Sequence, residues 1–241
     1  TVIGQWVAMV ITLLAVMKKY SLRGTLKPEF CKQIYANGIG SIVTQSLYTI
    51  YIVGLNMVLK SFTEDAVTVL GIYYKIQSFF FIPLLGFQQV LLPLFSYHYG
   101  AGDRQRNRDI LKCSMIFSVA IMAVATGIFF LFPEKLIQIF STGSSIVAIG
   151  KYAFPVISIS FVFAGLTIVI TSYLQGIAHI KSSLFIIVLR QIVLLVPLAW
   201  VFHFIGLNAV WWTFPVTEII ASTTGILIIM ILHKQDSELR I

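Results

Sequence analysis

Two residues of opposite charge lie within apolar stretches near the end of the sequence, where a charge is costly and therefore informative. Arg190 lies about eight residues inside one apolar run, and Glu218 about eleven residues inside the next. A short turn at 204–208 makes the runs antiparallel neighbours, and the helical rise of about 1.5 Å per residue places both residues at comparable depth. Provided that the side chains face each other, we predict an Arg190–Glu218 ion pair. It either neutralises two buried charges structurally or acts as an ion-coupling switch.

Polar side chains in the earlier apolar runs have the composition of a binding surface for bulky organic cations. Amides and tyrosines can hydrogen-bond such a ligand, stack on it and attract its charge to their ring faces. The same residues can instead only bond neighbouring helices, and both roles stay open. Lys75 either extends towards the membrane surface or lines a cavity. The candidates for substrate contact are Gln45, Tyr48, Lys75, Gln77 and Gln88, and they share these runs with Tyr51, Tyr73 and Tyr74.

The elements that must position these residues are membrane-spanning helices. Of 241 residues, 58% are hydrophobic and 11% are charged, whereas soluble domains have about 45–50% and about 25%. About 20 apolar residues suffice to cross a bilayer. We therefore predict an all-α, polytopic helical membrane protein whose spanning segments lie at 1–17, 34–59, 66–97, 113–133, 146–174, 183–205 and 207–232.

The net charge of +8 indicates membrane topology and not a nucleic-acid partner, because most cations lie in short loops between apolar runs. The loops after every second segment hold twelve Lys and Arg residues, and the opposite loops hold three. Loops rich in Lys and Arg stay on the cytoplasmic side. The pattern predicts a multi-pass protein of the cell membrane with a cytoplasmic C-terminus.

The sequence does not show the residue patterns of common catalytic or cofactor sites. It contains no Gly-rich phosphate loop, no His-rich metal spacing and no recognisable Ser/His/Asp set. We expect no enzyme activity and no cofactor. Five prolines interrupt the predicted helices, at 83, 93, 155, 197 and 215, and bent or broken helices are common in secondary transporters, although channels and receptors contain them too.

Two stretches carry motifs in a specific order. The first contains Ile82-Pro-Leu-Leu-Gly86, Pro93 and the turn Phe95-Ser-Tyr-His-Tyr-Gly-Ala-Gly102, with Arg104 and Arg106 after it. The second contains Gln175-Gly176, Lys181, Leu189-Arg-Gln191, Val196-Pro-Leu198 and Gly206-Leu-Asn-Ala-Val-Trp211. Together they span most of residues 66–225 and resemble the multidrug and toxic compound extrusion (MATE) family.

The resemblance implies a twelve-helix transporter built from two six-helix lobes. Residues 1–17 would be the last helix of the N-terminal lobe, 18–33 a cytoplasmic linker between the lobes, 34–232 the C-terminal six-helix lobe and 233–241 a cytoplasmic tail. The N-terminal six-helix lobe would then be a partner that this chain lacks.

The resemblance also implies a function. Family members are secondary active transporters that export cationic or lipophilic drugs in exchange for protons or sodium, by alternating access. Small organic cations, lipophilic compounds and the lipid bilayer are the expected partners. One branch of the family carries a cation-binding Glu and Asp where this sequence has Tyr48 and Ala164. Coupling would then use Glu218, an acidic group of the other lobe, or both.

Three alternatives stay open. A lipid-linked precursor flippase of the same superfamily tends to have more cations facing its cavity, a role available to Lys75 and Arg190. An intramembrane enzyme would need converging nucleophiles or metal ligands, which the sequence does not indicate. The chain could also be a truncated fragment without activity.

Overall fold

A computed structural model describes residues 2–19 and 46–238. The chain divides into two compact units, Thr1–Ser41 and Ile42–Ile241. The described part of the first unit is one apolar helix, α1 (Val2–Lys19).

The described part of the second unit is a helical bundle, and no strand occurs in it. Its helices are α2 (Ser46–Lys60), α3 (Glu64–Gly100), α4 (Arg104–Leu131), α5 (Pro133–Gln138), α6 (Ser144–Gly176), α7 (Ile180–Val188), a π-helical segment (Leu189–Leu194), α8 (Leu195–His203), α9 (Leu207–Val210) and α10 (Thr213–Glu238). Five stretches are long and apolar enough to cross a membrane: α3, α4, α6, the continuous helix Ile180–His203, and Leu207–Lys234. The predicted all-α membrane class is confirmed.

The predicted segments agree with these helices, with two differences. One concerns where α4 begins, and the other concerns the prolines that were expected to interrupt helices. Helix α4 begins at Arg104, nine residues before the predicted segment at 113, because its polar first turns continue the helix beyond the apolar run. Helices α3 and α6 continue through Pro83, Pro93 and Pro155 without a break. The predicted segment 34–59 is described only from residue 46 onwards.

Helix α6 lies at the centre of the bundle, between α3, α4 and α10. Glycines let its neighbours approach closely, as small residues do between membrane helices. Gly165 faces Ser118 and Met122 of α4, and Gly176 lies against the α3 backbone near Phe95. Gly225 of α10 packs against Ile170 of α6.

An aromatic cluster forms the core beside α6. The buried ring of Tyr73 on α3 lies 5.7–6.4 Å, centroid to centroid, from four phenylalanine rings. These rings belong to Phe129, Phe154, Phe161 and Phe214. The cluster joins α3, α4, α6 and α10 and fixes the position of the α3 surface that carries the neighbouring polar residues.

The turn between α3 and α4 is held by polar contacts. Gly102 has a φ of +73°, which glycine adopts without strain. Asp103 caps α4 by accepting a hydrogen bond from the backbone N–H of Arg106 at 3.0 Å. The buried Asn107 amide donates to the carbonyl of Phe95 at 3.3 Å. These contacts tie the start of α4 to the end of α3.

Candidate functional site

The structure brings Arg190 and Glu218 together as an ion pair. Nε of Arg190 lies 3.4 Å from Oε1 of Glu218, and Nη1 donates to Oε2 at 3.5 Å. The side chains are 26% and 13% exposed, respectively. Well-formed hydrogen bonds between such ions are about 2.7–2.9 Å long, so this pair is loose. Arg190 has five N–H donors and makes this one hydrogen bond to the described residues.

Arg190 lies on the π-helical segment Leu189–Leu194, which connects α7 to α8. The backbone N–H of Leu195 donates to the carbonyl of Arg190, five residues back instead of four. Pro197 follows shortly afterwards, and its ring would clash with the carbonyl four residues earlier in a regular α-helix. A π turn is one local adjustment by which a membrane helix can accommodate a proline, and such turns occur often at functional sites.

The ion pair lines an open cleft between the helices. The cleft has contributions from α2, α3, α6, the π-helical segment, α8 and α10. Its polar walls are made by two glutamines, three tyrosines, a serine and the ion pair. The residues that line it, besides Arg190 and Glu218, are Tyr51, Tyr73, Tyr74, Gln77, Phe81, Ser160, Ala164, Gln191, Leu195 and Phe214.

Gln191 is a site residue that sequence reasoning missed. Its side chain is 8% exposed and lines the cleft, and its Oε1 has no hydrogen-bond partner among the described residues. In a regular α-helix Gln191 would point about 100° away from Arg190. Both line the cleft here, on a π-helical segment that no residue pattern indicated. Its place next to Arg190 in the motif Leu189-Arg-Gln191 was the signal that could have suggested it.

The predicted substrate-contact residues do not all line the cleft. Gln77 lines the cleft, one turn of α3 after Tyr74. Lys75 is exposed outside the cleft, with its ammonium 5.7 Å from the ring centroid of Phe140. The reason is helical phase, because Lys75 is rotated about 100° from Tyr74 around the helix.

The other predicted residues also lie outside the cleft lining. Tyr48 is 41% exposed and makes an edge contact with the ring of Tyr51, which does line the cleft. Gln88 is half-buried, further along α3. Gln45 lies outside the described residues. Ala164, where the family resemblance places an Asp in one branch, does line the cleft.

The described part of the chain contains no group of three or more His, Cys, Asp or Glu residues that could hold a metal ion. Glu218 is the one carboxylate in the lining of the described cleft, and a guanidinium already lies beside it. The chemistry that this arrangement offers is exchange of ionic partners at a neutral pair, next to aromatic rings and amides.

Residues 41–201, about two thirds of the chain, match the model of the MatE family. The chain belongs to the MatE family. Proteins of this family are membrane transporters and not enzymes, and the described helices of this chain are those of a multi-pass membrane protein.

Curated relatives of this MatE chain include the multidrug export protein MepA of Staphylococcus saprophyticus subsp. saprophyticus, which is 24% identical over 208 residues. That match covers 86% of this chain and 46% of the relative. MepA of Staphylococcus aureus is 22% identical over 207 residues, with the same coverage. The chain spans about half the length of the curated relatives it matches.

Solved structures share the fold. An outward-facing multidrug resistance MATE family transporter of the MOP superfamily has a TM-score of 0.81 at 20% identity, covering 92% of this chain and 53% of that one. A MOP superfamily transporter from Pyrococcus furiosus, described as having a binding pocket of reverse polarity, has a TM-score of 0.80 at 20% identity and the same coverage. The family resemblance inferred from the sequence motifs is confirmed.

Proposed function

We propose that this chain supplies one lobe of a secondary transporter that exports cationic or lipophilic compounds in exchange for protons or sodium, by alternating access. The observation that carries the proposal is the loose Arg190–Glu218 pair in an aromatic cleft between membrane-spanning helices. The multidrug export proteins that the chain resembles support an organic substrate.

The proposed domain arrangement follows the family resemblance. Residues 1–17 form the last helix of the N-terminal lobe, 18–33 the linker, 34–232 the C-terminal lobe and 233–241 a tail. The matched relatives are about twice as long as this chain, which supports the need for an N-terminal lobe. Alternating access requires two lobes that move against each other around a central site.

The ion pair can couple ion binding to a conformational change. If Glu218 takes up a proton, its attraction to Arg190 is lost, and both side chains then favour other partners. A sodium ion beside this carboxylate would be repelled by the guanidinium a few Å away. At this pair, the proton is therefore the favoured coupling ion.

Dye efflux from cells that express the complete two-lobe transporter tests the function. We expect export of ethidium that stops when an uncoupler dissipates the proton gradient. Arg190→Gln should abolish this export while membrane insertion and the elution profile in detergent stay normal. Lys151→Gln is the matched control, because Lys151 is exposed in an ion pair with Glu134 outside the cleft. Export that needs no gradient would contradict the antiport mechanism.

The described lobe gives less support to the lipid-linked precursor flippase. Arg190 is the one Lys or Arg in the lining of the described cleft, and Glu218 compensates its charge. Lys75, the other cation that favoured this alternative, lies outside the cleft. Accumulation of a lipid-linked precursor after gene deletion, with dye efflux unchanged, would favour the flippase.

A further inference from the structure

We propose that the cleft at Arg190 and Glu218 binds an aromatic zwitterion whose ammonium and carboxylate groups lie next to each other, as in an α-amino acid. This inference rests on the proposed transport function and deepens it by naming a substrate class. It differs from the binding of a simple organic cation, which the sequence alone predicts.

The first argument is the charge of the cleft. Its lining contains one positive and one negative side chain in contact, so the described site is neutral. A cation bound at Glu218 is repelled by Arg190, and an anion bound at Arg190 is repelled by Glu218. A zwitterion offers each side chain a new partner of opposite charge. It also adds no net charge at membrane depth, where an uncompensated charge is expensive.

The second argument is the geometry of the pair. The nearest atoms of the two side-chain charges are 3.4 Å apart, so a ligand that contacts both at once needs charges at similarly close spacing. A rigid ligand whose charges lie at opposite ends does not meet this condition. The Arg190–Glu218 contact is longer than a strong ionic hydrogen bond and is therefore weak. Replacing it by two contacts with a ligand loses little interaction energy. The N–H donors of Arg190 that have no partner in the described part of the chain suit a carboxylate with two oxygens.

The third argument is the side-chain carbonyl of Gln191, which has no hydrogen-bond partner among the described residues. A buried amide oxygen without a hydrogen bond is unusual and indicates a missing donor. Gln191 is 8% exposed, lines the cleft and follows Arg190 directly in the chain. An ammonium group has three donors, so it can bond both the Glu218 carboxylate and the Gln191 oxygen. A carboxylate offers no donor to Gln191, and a quaternary cation offers none either.

The fourth argument is the aromatic wall that adjoins these polar groups. Tyr51, Tyr74 and Phe81 line the same cleft as the ion pair. Aromatic side chains favour stacked or edge contacts with another ring. The ligand that fits therefore combines an aromatic body with an α-amino-acid-like head group.

The test uses three probes with one aromatic body. Naphthylalanine is the zwitterion, its methyl ester is a cation and its N-acetyl derivative is an anion. Calorimetric titration of the purified two-lobe transporter should show that naphthylalanine binds at least about tenfold more tightly than either derivative, or about 1.4 kcal/mol. Equal binding of the three probes, or tightest binding of the ester, overturns the inference without any variant.

Variants then assign the two contacts. Arg190→Gln should remove the preference for naphthylalanine over its ester, because the carboxylate loses its partner. Glu218→Gln should remove the preference over the N-acetyl derivative, because the ammonium loses its partner. The exchange Arg190→Glu with Glu218→Arg should restore the zwitterion preference. Lys151→Gln and Glu134→Gln, in an exposed pair outside the cleft, should change none of these affinities.

The inference and the proposed function fail in different ways. Gradient-driven dye efflux without a zwitterion preference overturns the inference and leaves the transport function intact. A zwitterion preference without any gradient-driven efflux supports the binding site and overturns the transport function. Variants that retain the wild-type preferences for the probes assign the contacts elsewhere and overturn the inference.

Discussion

Arg190 and Glu218 differ in how much of each side chain is exposed. The side chain of Glu218 is 13% exposed, half as much as that of Arg190, which is 26% exposed. Glu218 therefore depends more on its partner for compensation of its charge, whereas Arg190 retains donors for other groups. Loss of either member leaves the other charge poorly compensated in a low-dielectric environment.

Glu218→Gln should lower the thermal stability of the transporter. Breaking a fully buried pair costs about 3–5 kcal/mol, and the residual exposure of these side chains makes the expected loss smaller. In the double variant Arg190→Met with Glu218→Leu, both partners become apolar. Because two desolvated charges disappear, this variant should regain most of the unfolding temperature that Glu218→Gln loses. Fluorescence-detected gel filtration after heating measures these unfolding temperatures.

The double variant also separates a structural role from a functional one. We expect it to be folded and inactive in dye efflux. A folded double variant that transports at the wild-type rate would show that the pair only neutralises two charges. The double change Lys151→Met with Glu134→Leu, at an exposed pair, should alter neither readout.

The sequence predicted the Arg190–Glu218 ion pair because charges within apolar runs are rare. The rise per residue of a helix then gives the depth of each charge in the membrane. It left the direction of Lys75 open, since both directions are compatible with its position along the helix. The rotation of α3 decides this, and the rotation depends on the packing of Tyr73 against four phenylalanines from other helices. Such long-range contacts have no local signal.

At the scale of helices, α6 requires small residues where its neighbours approach. A methyl group added at Gly176 would lie 2.5 Å from Cβ of Phe95 and 3.3 Å from the backbone nitrogen of Ser96. The backbone cannot move aside as the end of a flexible side chain can. Substitutions here must therefore push α3 away from α6.

Gly176→Ala should destabilise the transporter by about 1–3 kcal/mol, the usual range for overpacking. Gly127→Ala is the matched control, because nothing lies within 4 Å of an added methyl group there. The control should be neutral or slightly stabilising, since Ala favours a helix more than Gly does. Equal melting temperatures for the two variants would contradict the close packing of α3 on α6.

The apolar runs predicted the existence and order of the described spans, because length and hydropathy are local properties. They did not predict that α3 continues through Pro83 and Pro93 or that the chain changes to a π-helix before Pro197. Neighbouring helices and hydrogen bonds decide how each proline is accommodated. The direction of the Gln191 side chain into the cleft therefore depends on contacts that have no local signal in the sequence.

At the scale of the whole molecule, the described bundle corresponds to about half of its relatives. The cleft opens at the surface of this half. We propose that the other lobe closes the transport pathway. Expressed alone, residues 1–241 should insert into the membrane without exporting ethidium, and co-expression with the matching N-terminal lobe should restore export. Export by the chain alone would contradict the two-lobe arrangement.

The distribution of Lys and Arg gives a prediction of topology. The α3–α4 turn carries Arg104, Arg106 and Arg108, and the C-terminal region carries Lys234 and Arg240. The positive-inside rule predicts that both lie in the cytoplasm. Green fluorescent protein fused to the C-terminus should fluoresce, and alkaline phosphatase fused there should be inactive. The opposite pair of results would reverse the orientation.

The π-helical segment leads to an expectation about how related sequences align with this one. A π-helical turn contains one residue more than an α-helical turn. This extra residue sets how α7 is rotated relative to α8, so its removal changes the directions in which the side chains on the two helices point. Deleting one residue between Leu189 and Leu194 should return the segment to an ordinary helix and turn Arg190 or Gln191 away from the cleft. Relatives whose helix is regular here should therefore show a one-residue gap at this segment when their sequences are aligned with this one.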